Sequence, residues 1–494
     1  MVKNQNWNNV LKTQIDRRRR NELIYEHLFN RVKEPEIVHA GLVGAGYFGT
    51  TIVTQSSCIP RLEISAIADI NIEAGRRAYQ RAGIPSEDTV VCNSHSTALR
   101  AMESGKAVVV HDATILMDLP LDVIATATRV PEVGARYAYE AIQHGKHVVL
   151  VDKEADSVVG PILKHLADRA GVVFTTDDGD QPGLLMGLVS WARALGLEIL
   201  CGGNMRSCLY DPAAATVEAK GLTVQVPEED RWALERVPAG QVKRFVEARR
   251  RLFSDFRPYE ETGDPICHMA VAANGTGLMP DTPVGHRPVA RFVELPEILC
   301  PIEDGGILQT RGAIDVPTIL RTANEPHGGD GVFIVVANDA AYSRSVMIQK
   351  GLLANSRETA MLIYRPHHLL GVETAMSILC AGLLQVPTGS STVLPRVDII
   401  AKTIRDFKAG EIFGIKEGTQ AFGYSRDLKA SLVPAHVLAD DRPLPYFMLY
   451  GNQLTKDVPA GTVITREMIE PPQDSALWSL REEQDRHFFP EGNQ

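Results

Sequence analysis

From Ile37 onward the chain repeats one pattern: a short apolar run, a turn rich in Gly, Asp or Thr, then a segment with helical spacing. IVHAGLVGAG predicts a buried strand running into a glycine turn, and YFGTTIVTQSSC a helix. LEISAIAD (Leu62 to Asp69) predicts a second strand, and NIEAGRRAYQRAG a helix ending near Gly83. LDVIATAT (Leu121 to Thr128) is the next strand. Pro131 then sits where a first helical turn accepts proline, and Gly145 where a helix would stop. HVVLVD (His147 to Asp152), the helix VVGPILKHLADRAG and the strand VVFTTD (Val172 to Asp177) complete the block. Strands alternating with helices of this length imply a parallel sheet covered on both faces. Glu87 to Pro120 breaks the pattern and predicts an insertion.

Outside this block the pattern changes. Residues 1–36 predict a helical arm. Its basic run, Arg17 to Arg20, is surrounded by Asp16, Glu22 and Glu26 and reads as a solvated face. From Gln181 the alternation weakens and glycine- and proline-rich connections recur, as in NGTGLMPDTPVGHRP and NEPHGGDG. This predicts an α+β domain over 181–394 whose loops converge, with Leu369 to Val386 as one buried helix. Residues 395–475, with turns such as FKAGE and DVPAG, predict a small β-rich module, and 476–494 a polar, loose tail.

Composition narrows the class. A chain of 494 residues suggests about three domains. Its 44 % hydrophobic and 23 % charged residues exclude a disordered chain or a membrane bundle. A net charge of −10 argues against nucleic acid as the main partner. Seven scattered cysteines without a CxxC point away from a disulfide framework or a zinc site. With no apolar core for a signal peptide at the start, the expected setting is a reducing cytoplasm, away from the membrane.

One motif carries a mechanism. Gly44-Ala45-Gly46-Tyr47-Phe48-Gly49 matches GxGxxG, follows a predicted strand and opens a predicted helix. Gly44 permits the tight turn, Gly46 lets a pyrophosphate approach the backbone, and Gly49 lets helix and strand pack. The helix start then favours the phosphate charge. This makes residues 37–180 a Rossmann-type dinucleotide domain. Asp69, 25 positions after Gly44, ends the second strand, where a carboxylate accepts both ribose hydroxyls of NAD and repels the extra phosphate of NADP. The expected cofactor is therefore NAD or NADP, leaning to NAD.

Ligands in such folds bind outside the carboxyl ends of the strands, which singles out three further turns. Thr128 and Arg129 would lie beside the nicotinamide ribose. Lys153 would sit near the reacting carbon, with a pKa depressed by partial burial and by the oxidised ring's charge. Asp178 and Asp180, in DDGDQPG at the domain junction, suit a general acid, a hydroxyl clamp or a divalent cation. Their spacing selects no metal. In the second domain Asn204, Arg206, Tyr210, Asn274, His286 and His327 lie on glycine-rich loops and would suit an anionic, polyhydroxylated substrate.

Several stretches together resemble the homoserine-dehydrogenase-like oxidoreductases that carry a C-terminal SAF domain. They are IVHAGLVGAGYFGTTIV, DVIATATRVPEVGARYAYEAIQHGKHVVLVDKEADSVVGP, DDGDQPG, MAVAANGTGL, YRPHHLLGVETAMSIL and, for the SAF part, NQLTKDVPAGTVITREMIE. That group includes the 1-deoxy-D-xylulose 5-phosphate reductoisomerase-like enzymes. The resemblance implies a Rossmann domain, a substrate domain that also dimerises, a SAF-like β-clip module, and NAD(P)-dependent redox chemistry in a homodimer or homotetramer. Lys153 matches the place of a lysine in classical homoserine dehydrogenases, although the second lysine-bearing helix of those enzymes has no counterpart here. Three enzyme readings follow: a dehydrogenase of a small hydroxylated anion such as a sugar acid or sugar phosphate, a reductoisomerase needing a divalent metal, and a homoserine dehydrogenase. A non-catalytic nucleotide- or sugar-binding protein is the alternative from a different class.

Overall fold

A computed structural model describes residues 23–219, 221–254, 262–413 and 427–490. The basic run Arg17 to Arg20 lies outside the described residues; the described part of the arm contains the helix Ile24–Asn30.

Seven strands, β1 (Val38–Val43), β2 (Leu62–Ala68), β3 (Thr89–Cys92), β4 (Ala107–Val110), β5 (Val123–Thr126), β6 (His147–Leu150) and β7 (Phe174–Thr176), form one sheet. All pairings are parallel, in the order β3-β4-β2-β1-β5-β6-β7. The strands are runs of Val, Ile, Leu and Ala because both faces are covered. On one face lie α1 (Tyr47–Ser56) and α2 (Ile72–Arg81), which bury Ile52, Val53 and Tyr79 against Val38 and Leu42. On the other lie α3 (Pro131–Gln143) and α4 (Lys153–Ala170), which bury Ala138, Val159 and Leu163. Strand order reverses between β1 and β5, so a crevice opens at their carboxyl ends.

Two expectations for this unit are corrected. Residues 87–120 are no insertion but a regular part of the sheet: β3, the helix His95–Glu103, and β4. The helix expected from Val158 begins at Lys153, so Lys153 occupies a first helical turn.

The chain then enters α5 (Gln181–Ala194) and a second unit of two sheets. A six-stranded mixed sheet is built on Glu198–Asn204 and Val332–Ala337, and a five-stranded sheet on Arg206–Asp211 and Thr318–Arg321. Only Met205, fully buried, separates the strands Glu198–Asn204 and Arg206–Asp211, so Asn204 and Arg206 flank the corner between the sheets. A long buried helix, α6 (Gly263–Thr276), packs against α4 and α5.

The apolar stretch from Leu369 is not one helix. A turn is held by Glu373, whose Oε2 accepts from Leu369 N at 3.0 Å. Then come α7 (Thr374–Leu379) and five residues of wider, π-type helix (Cys380–Leu384), stopped by Gln385 at φ 55°. This strap returns to the first unit. Ile378, Leu379 and Ala381 share a core with Val38 and Leu42, and a Cβ on Gly382 would lie 2.7 Å from Val38.

In the β-rich C-terminal part, Val397–Thr403 pairs antiparallel with Leu428–Pro434. The tail is not loose. It forms α8 (Ala476–Phe488), with Leu477, Trp478, Leu480, Arg481, Gln484 and Asp485 buried on one face. Its many charges disguised that face. Arg481, fully buried, pairs with Asp398 at 2.6 Å and with Asp485 at 2.9 Å. Gln484 spans two backbone groups of α4, donating to Val158 O at 3.0 Å and accepting from Ile162 N at 3.2 Å beside Pro161. Among the described residues no helix is long and apolar enough to cross a membrane.

Candidate functional site

The glycine loop is built as its motif requires. Gly44 has φ +99°, and a Cβ there would lie 2.7 Å from the Ala127 carbonyl of the neighbouring β5 turn. A Cβ on Gly49 would lie 2.0 Å from the Gly44 carbonyl. A Cβ on Gly46 would meet nothing within 4 Å, so that backbone faces open space at the start of α1. Gly46 caps α1 without a side-chain acceptor, and Tyr47 is 85 % exposed. A cleft of about 450 Å³ lined by Gly46, Tyr47, Thr50 and Arg77 runs from this point between α1 and α2. These features fit a dinucleotide diphosphate at residues Gly46, Tyr47, Phe48 and Gly49.

Asp69 stands at this mouth but is already engaged. Its Oδ2 accepts from Ala45 N at 2.7 Å and its Oδ1 from Asn71 N at 2.7 Å. Each oxygen keeps a second lone pair for a ribose hydroxyl. The β5 turn differs from expectation. Asp152 Oδ1 takes the amides of both Thr128, at 2.7 Å, and Arg129, so neither N–H is offered to a ligand. Arg129 is left-handed at φ 60° and its residue is exposed. Burial, helped by Glu154, pushes the Asp152 carboxyl up to about 6, against the hydrogen bonds from Arg129 and Thr128.

Beyond the mouth, at the carboxyl ends of β6 and β7, a polar cluster is assembled from four segments. Lys153 Nζ, on α4, lies 3.7 Å from Glu154 Oε1 and 3.5 Å from Asp180 Oδ2. It therefore faces two carboxylates. Asp180 caps α5 by accepting from Gln181 N at 2.7 Å. Burial acts to raise its carboxyl, but Lys153 and then His268 hold it well below the usual range. His268, on α6 and 5 % exposed, places Nε2 3.5 Å from Asp180 Oδ1 and Nδ1 3.5 Å from an Arg206 nitrogen. Gln181 joins the cluster to the inter-sheet corner. Its Oε1 accepts from Arg206 at 3.0 Å and from Asn204 at 3.3 Å, and its Nε2 donates to Gly331 O at 3.1 Å.

Lys153, Asp180, Asn204 and Arg206 are thus brought together as expected of a site. Asp178 is not part of this cluster. Burial pushes its carboxyl up to about 7, Glu373 adds to this and Arg365 opposes it, all on the strap side. Asp178 and Asp180 have different partners. Among the described residues no group of three His, Cys, Asp or Glu is placed to hold a metal ion.

Four of the expected substrate residues do other work. Tyr210 is half-buried in a separate small core with Val217 and Phe253. Asn274 is 3 % exposed and staples α6 to the β-module, its Oδ1 accepting from Arg396 N at 2.9 Å and Val397 N at 3.0 Å. His286 is tied to Asp281 at 2.6 Å, and its N–H to Asp315 at 2.7 Å. His327 is exposed and bonds within its own loop, to Gly329 O at 3.3 Å. That loop does reach the site, through Asp330, whose Oδ1 lies 3.6 Å from Arg206.

Sequence reasoning passed over Gln181, His268 and Asp330. A lone histidine inside the apolar run ICHMAVAA was the available signal for His268. Gln181 lay within DDGDQPG, masked by the acids beside it.

Residues 179–374 match the model of the family described as "Oxidoreductase DRL, catalytic domain". That span begins at the DDGDQPG turn and ends where the strap starts, so it encloses Asp180, Gln181, Asn204, Arg206 and His268. No curated protein matches the chain. Among solved structures, the chain is similar to levoglucosan dehydrogenase in complex with NADH and L-sorbose (17 % identity, 36 % of this chain and 43 % of that one, TM-score 0.24). It is also similar to an oxidoreductase from Agrobacterium radiobacter with NAD+, L-tartaric acid and magnesium (14 %, 35 % and 46 %, TM-score 0.26). A third is the WlbA dehydrogenase from Bordetella pertussis with NADH and UDP-GlcNAcA (19 %, 35 % and 48 %, TM-score 0.23). The chain spans less than half the length of each.

Proposed function

We propose that this protein is an NAD(P)-dependent oxidoreductase acting on a carbonyl or secondary alcohol of a small, hydroxylated, anionic molecule. One observation carries the reading. The glycine mouth after β1 and the Lys153–Asp180–His268 cluster after β6 and β7 lie along one carboxyl edge of a doubly wound sheet. The match of residues 179–374 to an oxidoreductase catalytic domain supports it.

The dinucleotide, when bound, supplies or accepts the hydride. The chain's residues bind and orient. Gly46, Tyr47 and Phe48 offer backbone N–H groups to the diphosphate, and Asp69 its remaining lone pairs to the ribose. Lys153 holds its ammonium toward a substrate oxygen, where it stabilises charge that develops on that oxygen. Asp180 and Glu154 fix its position. Arg206, steadied by Gln181, provides the cation that an anionic substituent needs.

A thermal-shift screen of both dinucleotides, crossed with sugar acids and sugar phosphates, tests this reading. A ligand that binds only the native state raises the melting temperature. NAD or NADP is expected to do so, and Lys153→Met to abolish turnover while leaving the dinucleotide shift intact. If neither dinucleotide stabilises the protein, the redox reading fails. A chelator arm separates a plain dehydrogenase from the metal-dependent reductoisomerase.

A further inference from the structure

An oxidation of an alcohol releases the hydroxyl proton, and the site must hold a base to receive it. The cluster's hydrogen bonds sort its groups. Lys153 faces two carboxylates and presents an ammonium, which is a donor. His268 has both nitrogens engaged. Arg206 has no acceptor, so Nδ1 takes the bond and Nε2–H points to Asp180. Asp180 already receives Gln181 N, the Lys153 ammonium and the His268 Nε2–H.

His368, on the loop between the strand Met361–Arg365 and the strap, is different. Its Nδ1 lies 2.5 Å from the carbonyl oxygen of Asp330. A carbonyl only accepts, so Nδ1 carries a proton, and in the neutral ring Nε2 carries the lone pair. That Nε2 is buried and has no hydrogen-bond partner among the described residues. A buried orphan of this kind calls for an explanation. The ring is aimed inward although its neighbours His367 and Leu369 are exposed, and it lies close enough for its charge to act on Asp180.

The loop that fixes the tautomer is itself specialised. Asp330 is left-handed at φ 70°, its N–H donates to Met205 O at 3.0 Å in the inter-sheet corner, and its carboxylate faces Arg206. A Cβ on the next residue, Gly331, would lie 2.2 Å from the Arg365 carbonyl, so the two loops meet backbone to backbone.

We propose that His368 Nε2 is the proton-accepting group of the site, and that the Asp330 carbonyl sets its tautomer. This inference rests on the oxidoreductase reading above. In the oxidation direction the substrate O–H bond breaks and its proton passes to Nε2. The carbinol C–H pair leaves as hydride to NAD(P)+, and the C–O bond becomes a carbonyl. Reduction reverses each step. The charged groups around the ring are Asp180, with Lys153 and His268 beyond it, Asp330 with Arg206, and the Glu373–Arg365 pair on its own segment.

The test has two arms. In protein labelled with 15N-histidine, the His368 signals are identified by their loss in His368→Asn. A protonated Nδ1 and a bare Nε2 are expected in the neutral ring; the opposite tautomer overturns the proposal. The second arm uses the sugar acid or sugar phosphate that the wild type turns over. His368→Ala should lower kcat at least 100-fold and flatten the pH dependence of the oxidation rate. KM and the dinucleotide thermal shift should stay unchanged, and added imidazole should restore part of the rate. An unchanged pH profile with wild-type kcat sinks the role of His368 and leaves the oxidoreductase reading standing. A protein that no dinucleotide stabilises sinks that reading instead, and the tautomer arm still decides the geometry.

Discussion

Replacing Asp156 by Asn should invert the usual expectation that a buried polar substitution destabilises, and it should do so only at higher pH. Asp156 lies in the first turn of α4 at 2 % exposure, accepting from Thr176 Oγ1 at 2.7 Å. Burial pushes its carboxyl up from 3.8 to about 7, with the Thr176 hydrogen bond opposing. A folded pKa above the unfolded value means that the native state binds the proton more tightly. The stabilisation is then complete below pH 3.8 and is lost as pH rises through about 7. A shift of about 3 units at about 1.36 kcal/mol each gives roughly 4 kcal/mol of stability lost between pH 4 and pH 8. Asn is a neutral isostere that cannot titrate, so the variant lacks this loss. Any lost contact of the new amide is a constant offset at every pH. Melting curves of both proteins from pH 4.5 to 8.5 should therefore converge or cross, with the variant gaining roughly 10 °C on the wild type if one cooperative unit responds at about 2–4 °C per kcal/mol. Every other ionisable group is common to both proteins and cancels. Parallel curves would refute the reasoning, since they would mean that Asp156 titrates alike in the folded and unfolded chains.

Other substitutions test separate parts of the framework. Gly49→Ala brings a Cβ to 2.0 Å of the Gly44 carbonyl; it should cost about 3 kcal/mol in urea unfolding and remove the dinucleotide thermal shift. Asp69→Ala should weaken NAD much more than NADP in a binding titration, and an unchanged NAD constant would show that Asp69 only caps the loop through Ala45. Arg481→Met leaves Asp398 buried beside a neutral neighbour and should cost about 3–5 kcal/mol, most of it recovered by adding Asp398→Leu. Gln484→Ala removes both contacts to the α4 backbone and should lower stability by about 1–3 kcal/mol, read as a lower urea midpoint.

What the sequence disclosed and what it hid follow from the range of the interactions. The glycine mouth is a local object: strand, turn and helix are consecutive, Gly44 and Gly49 are explained by atoms of their own or the neighbouring turn, and Gly46 by the open space beside it. The doubly wound sheet was legible for the same reason, apart from β3 and β4. The second unit was harder. Asn274 and His286 sit in glycine-rich stretches of sequence, as a binding residue would, yet Asn274 lies on α6 and the partners of the two are the β-module and Asp281. Loop composition reports where the backbone bends and not where a side chain points. Tail α8 was misjudged because one face, Leu477 to Asp485, is buried by docking on α4 and the β-module, and its charges are paired there.

The missed hub, Gln181, shows why such a site resists reading from local pattern. Its amide oxygen has two lone pairs and both are used, by Asn204 and Arg206; its nitrogen donates to Gly331 in the loop that carries Asp330. A glutamine so satisfied has no rotational freedom to spare, which makes it a rigid spacer. It also adjoins Asp180 in sequence, at the start of α5, so the spacing between Asp180 and Arg206 is set by one residue step plus one side chain. The corner at Met205 then turns Arg206 toward His268 without any loop long enough to flex. Residues separated by more than 80 positions are thereby held at hydrogen-bonding range by three short, packed segments. A site built this way is pre-organised by its neighbours' packing, so its geometry should persist whether or not a ligand is bound.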